Sequence, residues 1–455
     1  MEPSVICAEN IALLHLLHQV PSRPLGNGVE LKSQSYPGYS LPFETERLLA
    51  SALAFLAGTK DGPDHIPAVC LKEVPTSRSL HVLIAVNKAK WADGELVLGE
   101  LAKGFQGIFH SLSSATDGKQ PGSSSSCNVF PAIIKMCSRR IQCRLRFTPN
   151  HRKRIQPSIR KVLQDSLDAI KQLQPPPASA RIYLEQTRDV MKKIAAWSAH
   201  QTPERLGELV TGFYDLSRVP GLSDLLHAIS YKSMDPCARK SLLNIIGKVG
   251  RYRGVAMFLC QVAAKHSALR RTKVVPVRLP KDFFRKTSVT LGEPNLPRVV
   301  SRFRDRYGGR YDIKNICQIL GLEERQANSQ FVDQTLKSLK TSRIHAEMQL
   351  IFYCELESFL PPPRVICSSK DACFLCNTFI VMHGKFHTPR CHGKLYPGWR
   401  LPNTDIGRER QHFNDRLQQQ IEDSLALLIS RRAKTVFLDP NESTLLTLPR
   451  SKSTL

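Results

Sequence analysis

The stretch "HAEMQLIFYCELES" (345–358), followed after a proline run by "CFLC" (373–376), decides how this 455-residue chain is read. Met348, Phe352 and Leu356 recur every four residues, the period of one helix face, and the prolines at 361–363 end that helix. "RVICSS" (364–369) is a short buried-strand candidate. "ACFLCNTFIVMHG" (372–384) is helical again and stops at Gly384. His345 and Cys373 therefore each fall at the start of a helix. Cys373 and Cys376, three residues apart, are neighbours on one helix face. They lie in a first turn, where unpaired N–H groups and the helix dipole favour thiolates. Two such thiolates make half of a zinc site. If both helix starts meet at one edge of a sheet, His345 completes a His/Cys/Cys set with a fourth position open. Glu347, two residues beyond His345, shares that helix end but points away from the ligand direction, which is where a general acid/base stands.

Working outward, the chain divides near residues 271–300, a basic, proline-containing connector that includes "RRTKVVPVRLPKDFFRK". Residues 1–270 read as a mostly helical region with one β-hairpin. Residues 45–58 and 92–113 are helical, 66–74 and 80–88 are the hairpin strands, and 114–126 are a polar Gly/Ser loop. From 150 to 267 the apolar spacing is largely helical, broken at Pro175–Pro177. Beyond the connector, 301–432 alternate helix and strand. "FHTPRCHGKLYPGWRLP" (386–402) reads as strand, turn and strand, and 412–432 as an amphipathic helix. That order argues for α/β layers with a parallel strand pair. Residues 433–455 are poorly patterned and read as a loose tail.

Lys and Arg exceed Asp and Glu by 26, which favours a polyanionic partner, nucleic acid first and a membrane surface second. No stretch approaches 18 apolar residues, so no membrane span is expected. The N-terminus has no basic region before its apolar run, unlike a signal peptide. The 13 cysteines lie mostly in apolar runs, which fits a reducing compartment, the cytoplasm or the nucleus. Residues 139–161 hold nine Lys or Arg and no acid. Within them "RIQCRLRF" (140–147) alternates, with Arg140, Arg144 and Arg146 on one side, and predicts a strand with a basic face. "RVVSRFRDRYGGR" (298–310), including Arg302, is the second basic run. Both are candidates for contact with a phosphate backbone, or else solvated faces.

The order H-x-E, then C-x-x-C 28 residues after the histidine, is the pattern of zinc deaminases. "RIHAEMQLIFY", "SSKDACFLCN" and, more weakly, "HGKLYPGWRLP" resemble the cytidine-deaminase-like superfamily, and within it the fungal members of the Orientia-type (OTT-type) deaminases. The resemblance covers about residues 300–440. It implies an α/β fold, a cytidine-deaminase-like α/β/α layered domain at the C-terminus behind a mostly helical N-terminal region. It implies Zn2+ held by His345, Cys373 and Cys376, with Glu347 as proton shuttle. The implied reaction is hydrolytic deamination of cytosine or adenine, in single-stranded nucleic acid or in a free nucleoside. Ser369, Asp371 and Trp399 are candidates to touch substrate, although Ser369 and Asp371 suit helix capping equally and Trp399 suits a local packing anchor better. One departure is Ala372, where the family's pattern has proline. Two other readings stand beside this one. A non-enzymatic nucleic-acid adaptor would hold a structural zinc with the two cysteines and two of His383, His387, Cys391 and His392. A thioredoxin-like redox site would leave His345 and Glu347 without a role.

Overall fold

Residues 66–88 fold as the hairpin that their branched side chains predict. A computed structural model describes residues 2–28, 38–60, 62, 65–114, 129–148, 157–175, 177–286, 294–304, 308–309, 311–403, 407–443 and 447–448. Its first elements are α1 (Pro3–Leu17), β1 (Leu25–Gly26), α2 (Phe43–Ala57), β2 (Pro67–Val74), β3 (Ser79–Val86) and α3 (Glu95–Ser114). A helical stretch follows: α4 (Phe130–Arg144), α5 (Ile159–Lys171), α6 (Ala180–Ala199), α7 (Pro203–Leu216), α8 (Leu222–His227) and α9 (Pro236–Lys265). Then come β4 (Thr272–Pro276), α10 (Leu296–Val300), α11 (Ile313–Leu320), α12 (Glu324–Thr341) and α13 (Ala346–Glu357). The last are β5 (Ile366–Ser368), α14 (Phe374–His383), β6 (Arg390–Cys391) and α15 (Gly407–Arg431). The polar loop read at 114–126 lies, after Ser114, outside the described residues.

The main sheet has the order β4-β3-β2-β5. β2 pairs antiparallel with β3 along its whole length and with β5 through Ala68–Ser368, Val69–Cys367 and Cys70–Ile366. The parallel pair is β3 with β4, neither of them within residues 301–432, where it was expected. β1 and β6 form a separate two-stranded ribbon. The molecule is thus mixed α/β, mostly helical, with small sheets. The hairpin expected in an accessory region is the centre of the sheet that carries β5, so the division at 271–300 does not separate two sheets.

Alternate residues of the hairpin feed two cores. Val69, Leu71, Val82, Ile84 and Val86 join one core with α2, α3 and the helices of 130–265. Ala68, Cys70, Leu83 and Ala85 join the other with α1, α13, α14 and α15. Both faces of the sheet are covered, which explains why "AVCL" and "LIAV" read as continuous apolar runs. The α2 layer is fixed to the strand edge by a buried ion pair, Arg364 Nε to Glu46 at 2.6 Å, with a further bond from Arg364 to the Leu41 carbonyl. Loss of either partner would strand a buried charge, at about 3–5 kcal/mol.

The strand expected over 140–147 is the end of a helix, α4. Ile133, Ile134, Cys137 and Ile141 are buried along it at helical spacing. The alternation of "RIQCRLRF" is local, and the longer period that begins at Phe130 prevails. In the segment read as strand, turn and strand at 386–402, β6 is two residues long and pairs with β1, and single bridges tie His387 to Val365, Cys391 to Ala372 and Trp399 to Arg343. Residues 433–443 form neither helix nor strand, yet Glu442 pairs with Lys370 and accepts from the Tyr396 hydroxyl at 2.5 Å. No helix among the described residues is long and apolar enough to cross a membrane.

Candidate metal centre

The end of β3 fixes the start of α13. Lys88 and Ile344 exchange backbone hydrogen bonds of 3.1 and 2.8 Å. The Asn87 side chain accepts from the Ala346 N–H at 2.9 Å, satisfying one of the free amides of the first turn. The Gln349 amide reaches back to the carbonyls of Val86 and Ile344. His345, the N-cap of α13, is thereby held over the sheet edge.

The second helix start arrives from β5. After four residues Cys373 becomes the N-cap of α14, and its Sγ accepts from the Cys376 N–H at 3.4 Å. Ala372, where proline was expected, donates its N–H to the Arg390 carbonyl at 3.0 Å, while its own carbonyl accepts from His392. Proline could not make the first bond. The departure from the pattern is a use of the amide that proline lacks.

His345, Cys373 and Cys376 meet. One ligand atom from each lies within 4.8 Å of the others, and they are the one such group of His, Cys, Asp or Glu among the described residues. His345 Nδ1 is 3.7 Å from Cys373 Sγ and 3.4 Å from Cys376 Sγ. Both cysteines are buried and His345 is half-buried. Burial alone would raise the Cys373 thiol, but its hydrogen bonding with Cys376 and the His345 imidazole bring it well below its usual value. Burial and the neighbouring Cys373 push Cys376 up. The Trp399 indole N–H donates to Cys376 Sγ at 3.3 Å. Two sulfurs, one imidazole nitrogen and N–H donors aimed at the sulfurs are a donor set that fits zinc.

Glu347 is buried at 4% exposure beside this group. Burial raises its pKa, opposed by the charge of His345 and by a hydrogen bond with Ser368. It stands at the same helix end as His345 and is not one of the converging ligand atoms.

One comparison finds a match in this part of the chain. Residues 344–403 match the model of an OTT_1508-like deaminase family. The match contains His345, Glu347, Cys373, Cys376, Ala372 and Trp399 together, and β5 and α14 lie wholly within it. The comparison with curated proteins gave no match, and the comparison with solved structures gave none.

Other candidate residues fall elsewhere. Trp399 is 1% exposed and packs on Phe413, so it presents no face for a base to stack on. Ser369 and Asp371 do not cap α14, since Cys373 does. Their backbone amides bond to Pro67 and Glu442, and both residues line a cleft beside the site. Arg144 donates to the Tyr252 hydroxyl at 2.9 Å and lies over the Phe55 ring. Arg146 donates to Pro157 and Ser241. Arg302 pairs at 2.7 Å with the buried Glu9 of α1. Arg140, on α4, is not on a strand. Arg140, Arg144 and Arg146 do not form the basic strand face expected of them, and Arg302, from the second basic run, is engaged with Glu9. The rival ligands are also engaged apart from the group. His383 stacks on Phe379 near Glu355, His387 meets the edge of Phe43, and Cys391 accepts from the Gly393 N–H. His392 Nδ1 accepts from the Lys394 N–H. The residues that sequence reasoning missed are Asn87, Gln349 and Ser368. Only Asn87 and Ser368 carry a signal, a polar residue closing an apolar strand.

Proposed function

We propose that this chain is a zinc-dependent hydrolytic deaminase acting on cytosine or adenine, in a nucleotide or within single-stranded nucleic acid. The observation that carries the reading is the convergence of His345 Nδ1, Cys373 Sγ and Cys376 Sγ at two adjoining helix starts, with a buried carboxylate alongside. His345, Cys373 and Cys376 would hold the ion. Zinc bound there supplies Lewis-acid activation of water.

The rest is done by the chain. A Glu347 carboxylate oxygen takes a proton from the attacking water and delivers it to the departing amino nitrogen. The C–N bond breaks as a C–O bond forms, so one water enters and one ammonia leaves. Burial of Glu347 favours its neutral form, which makes its carboxylate a better acceptor of the water proton in the first transfer. Trp399 and the Cys376 amide fix the sulfurs through N–H donation. The excess of 26 basic over acidic residues supports an anionic substrate over a bare base.

The test is ammonia release from cytosine- and adenine-containing nucleosides, nucleotides and single strands, by wild type and by Glu347→Gln. The variant is expected to keep its zinc and its fold and to lose about 10²–10⁴ in kcat. Equal turnover by the variant would remove Glu347 from the reaction. No turnover of any substrate by zinc-loaded wild type would favour the adaptor reading.

A further inference from the structure

A cavity that the reaction above does not use lies between α1, the end of α12, the segment at 399–403 and the start of α15. It has about 60 Å³ of water-accessible space. That is room for roughly four to six waters, or for an organic molecule with about that many non-hydrogen atoms. None of His345, Glu347, Cys373 and Cys376 lines it. Trp399 does, at 1% exposure, and its indole N–H reaches Cys376 Sγ. One side chain thus separates the cavity from the metal centre.

The lining mixes apolar and polar side chains. Ala8 and Ile11 of α1, Leu339 of α12 and Leu401 are apolar. Ser342, Arg400 and Arg410 are polar, and no Asp or Glu is in the described lining. Arg285 and Lys286 also border the space, but both are exposed and engaged, the first with Asp282 and the second with the Lys340 carbonyl. They are not counted as ligand groups.

The polar side chains are left incomplete by the fold. Ser342 is 0% exposed, and its hydroxyl has no hydrogen-bond partner. A buried hydroxyl in that state is rare and costly, and it points to a group that the chain does not supply. Arg400 gives its terminal nitrogens to the carbonyls of Phe284 and Leu401, while its buried Nε has no partner. Arg410 donates to the Pro402 carbonyl. Neither guanidinium forms a salt bridge among the described residues. Burial together with Arg410 lowers the pKa of Arg400 to about 10, a sign that the two charges repel. A carboxylate in the cavity would turn that repulsion into attraction and accept from Nε and from the Ser342 hydroxyl. Water would satisfy the same donors but would lie against Ala8, Ile11 and Leu401. A carbon chain suits those residues, and a bare hydrated anion does not.

We infer that this cavity is a binding site for a small organic monocarboxylate, with its carboxylate against Ser342, Arg400 and Arg410 and its short carbon chain against Ala8, Ile11 and Leu401. The site stands on its own lining and needs no deaminase activity.

Butyrate is the probe, titrated calorimetrically into the zinc-loaded full-length chain at constant ionic strength. Butanol, butylamine and inorganic phosphate are the controls. Saturable binding of butyrate is expected with Kd of about 1 mM or below, which a ligand of this size can reach. Butanol lacks the charge, butylamine carries the wrong one and phosphate lacks the carbon chain. Each is expected to bind at least about tenfold more weakly. Ser342→Ala removes a hydroxyl that has no partner, so its thermal midpoint is expected to be no lower than that of wild type, while its Kd for butyrate rises about threefold or more. Arg410 is half-buried, and Arg410→Gln is expected to weaken butyrate at least about tenfold at an unchanged midpoint. If Arg410→Gln fails to fold, Ser342→Ala decides. No saturable binding by wild type leaves the space to water and overturns the site. Equal binding of butanol or of phosphate overturns the assignment to an organic acid. Unchanged affinity in Ser342→Ala places butyrate elsewhere and overturns the site. None of these readouts uses turnover, so this site and the deaminase reading stand or fail separately.

Discussion

Trp399 shows what a single residue contributes at the metal centre. Its indole N–H is directed at Cys376 Sγ, and its ring lies against Phe413 with centroids 5.2 Å apart. Trp399→Phe keeps much of the packing and removes the donor. Outer-shell bonds of this kind are worth about 10–100-fold in metal affinity. The variant is therefore expected to fold and to lose zinc to a competing chelator at about tenfold lower chelator concentration or less. Unchanged competition would make the N–H···S contact incidental. His345, Glu347, Cys373 and Cys376 were legible in the sequence because their chemistry depends on short spacings, H-x-E and C-x-x-C. Trp399 was not. Its contact spans 23 residues of chain and has no periodicity, so an aromatic in a turn-rich segment could as well have faced a substrate.

Among the elements, α4 and β5 mark the limits of local pattern. Eight alternating residues suggested a strand at 140–147, but helical burial from Ile133 onward decided for α4. β5 was read correctly as a buried strand, while its neighbour was not, since the three-residue pairing with β2 joins segments about 300 residues apart. The other edge of this region is bound by His387, which exchanges backbone bonds with Arg364 and Ile366 and sits at 8% exposure against Phe43. Burial, helped by Arg47 and opposed by Glu44, lowers its pKa from 6.5 to about 4. Between those values the unfolded chain carries a proton on His387 and the folded chain does not. Stability conferred by the neutral ring is whole above pH 6.5 and falls as pH drops toward 4, by about 2–3 kcal/mol in all. Denaturant midpoints at pH 7 and pH 4.5 test this. The drop is expected to be smaller in His387→Gln than in wild type, and an equal drop would assign the acid sensitivity to other groups.

For the whole molecule, the site is assembled from both ends of the chain. β2 and β3 supply the centre of the sheet and the Asn87 and Lys88 contacts to α13, while α13, β5 and α14 supply the ligands. A basic, proline-containing connector looked like a boundary, because composition reports linkers and cannot report that β4 within it pairs with β3. A fragment of residues 301–432 lacks β2, β3 and β4, and leaves the inner face of α13 and the β2 edge of β5 without partners. It is expected to show no cooperative thermal transition by circular dichroism, where the full chain shows one. A sharp transition in the fragment would mean that the sheet is dispensable to it. The central claim is that one metal ion joins His345 to Cys373 and Cys376, and zinc stoichiometry by elemental analysis tests it most directly. Purified wild type is expected to hold one zinc per chain and His345→Ala to lose most of it while keeping its helical content. A variant that retains its full zinc would place the ion away from His345 and contradict the account.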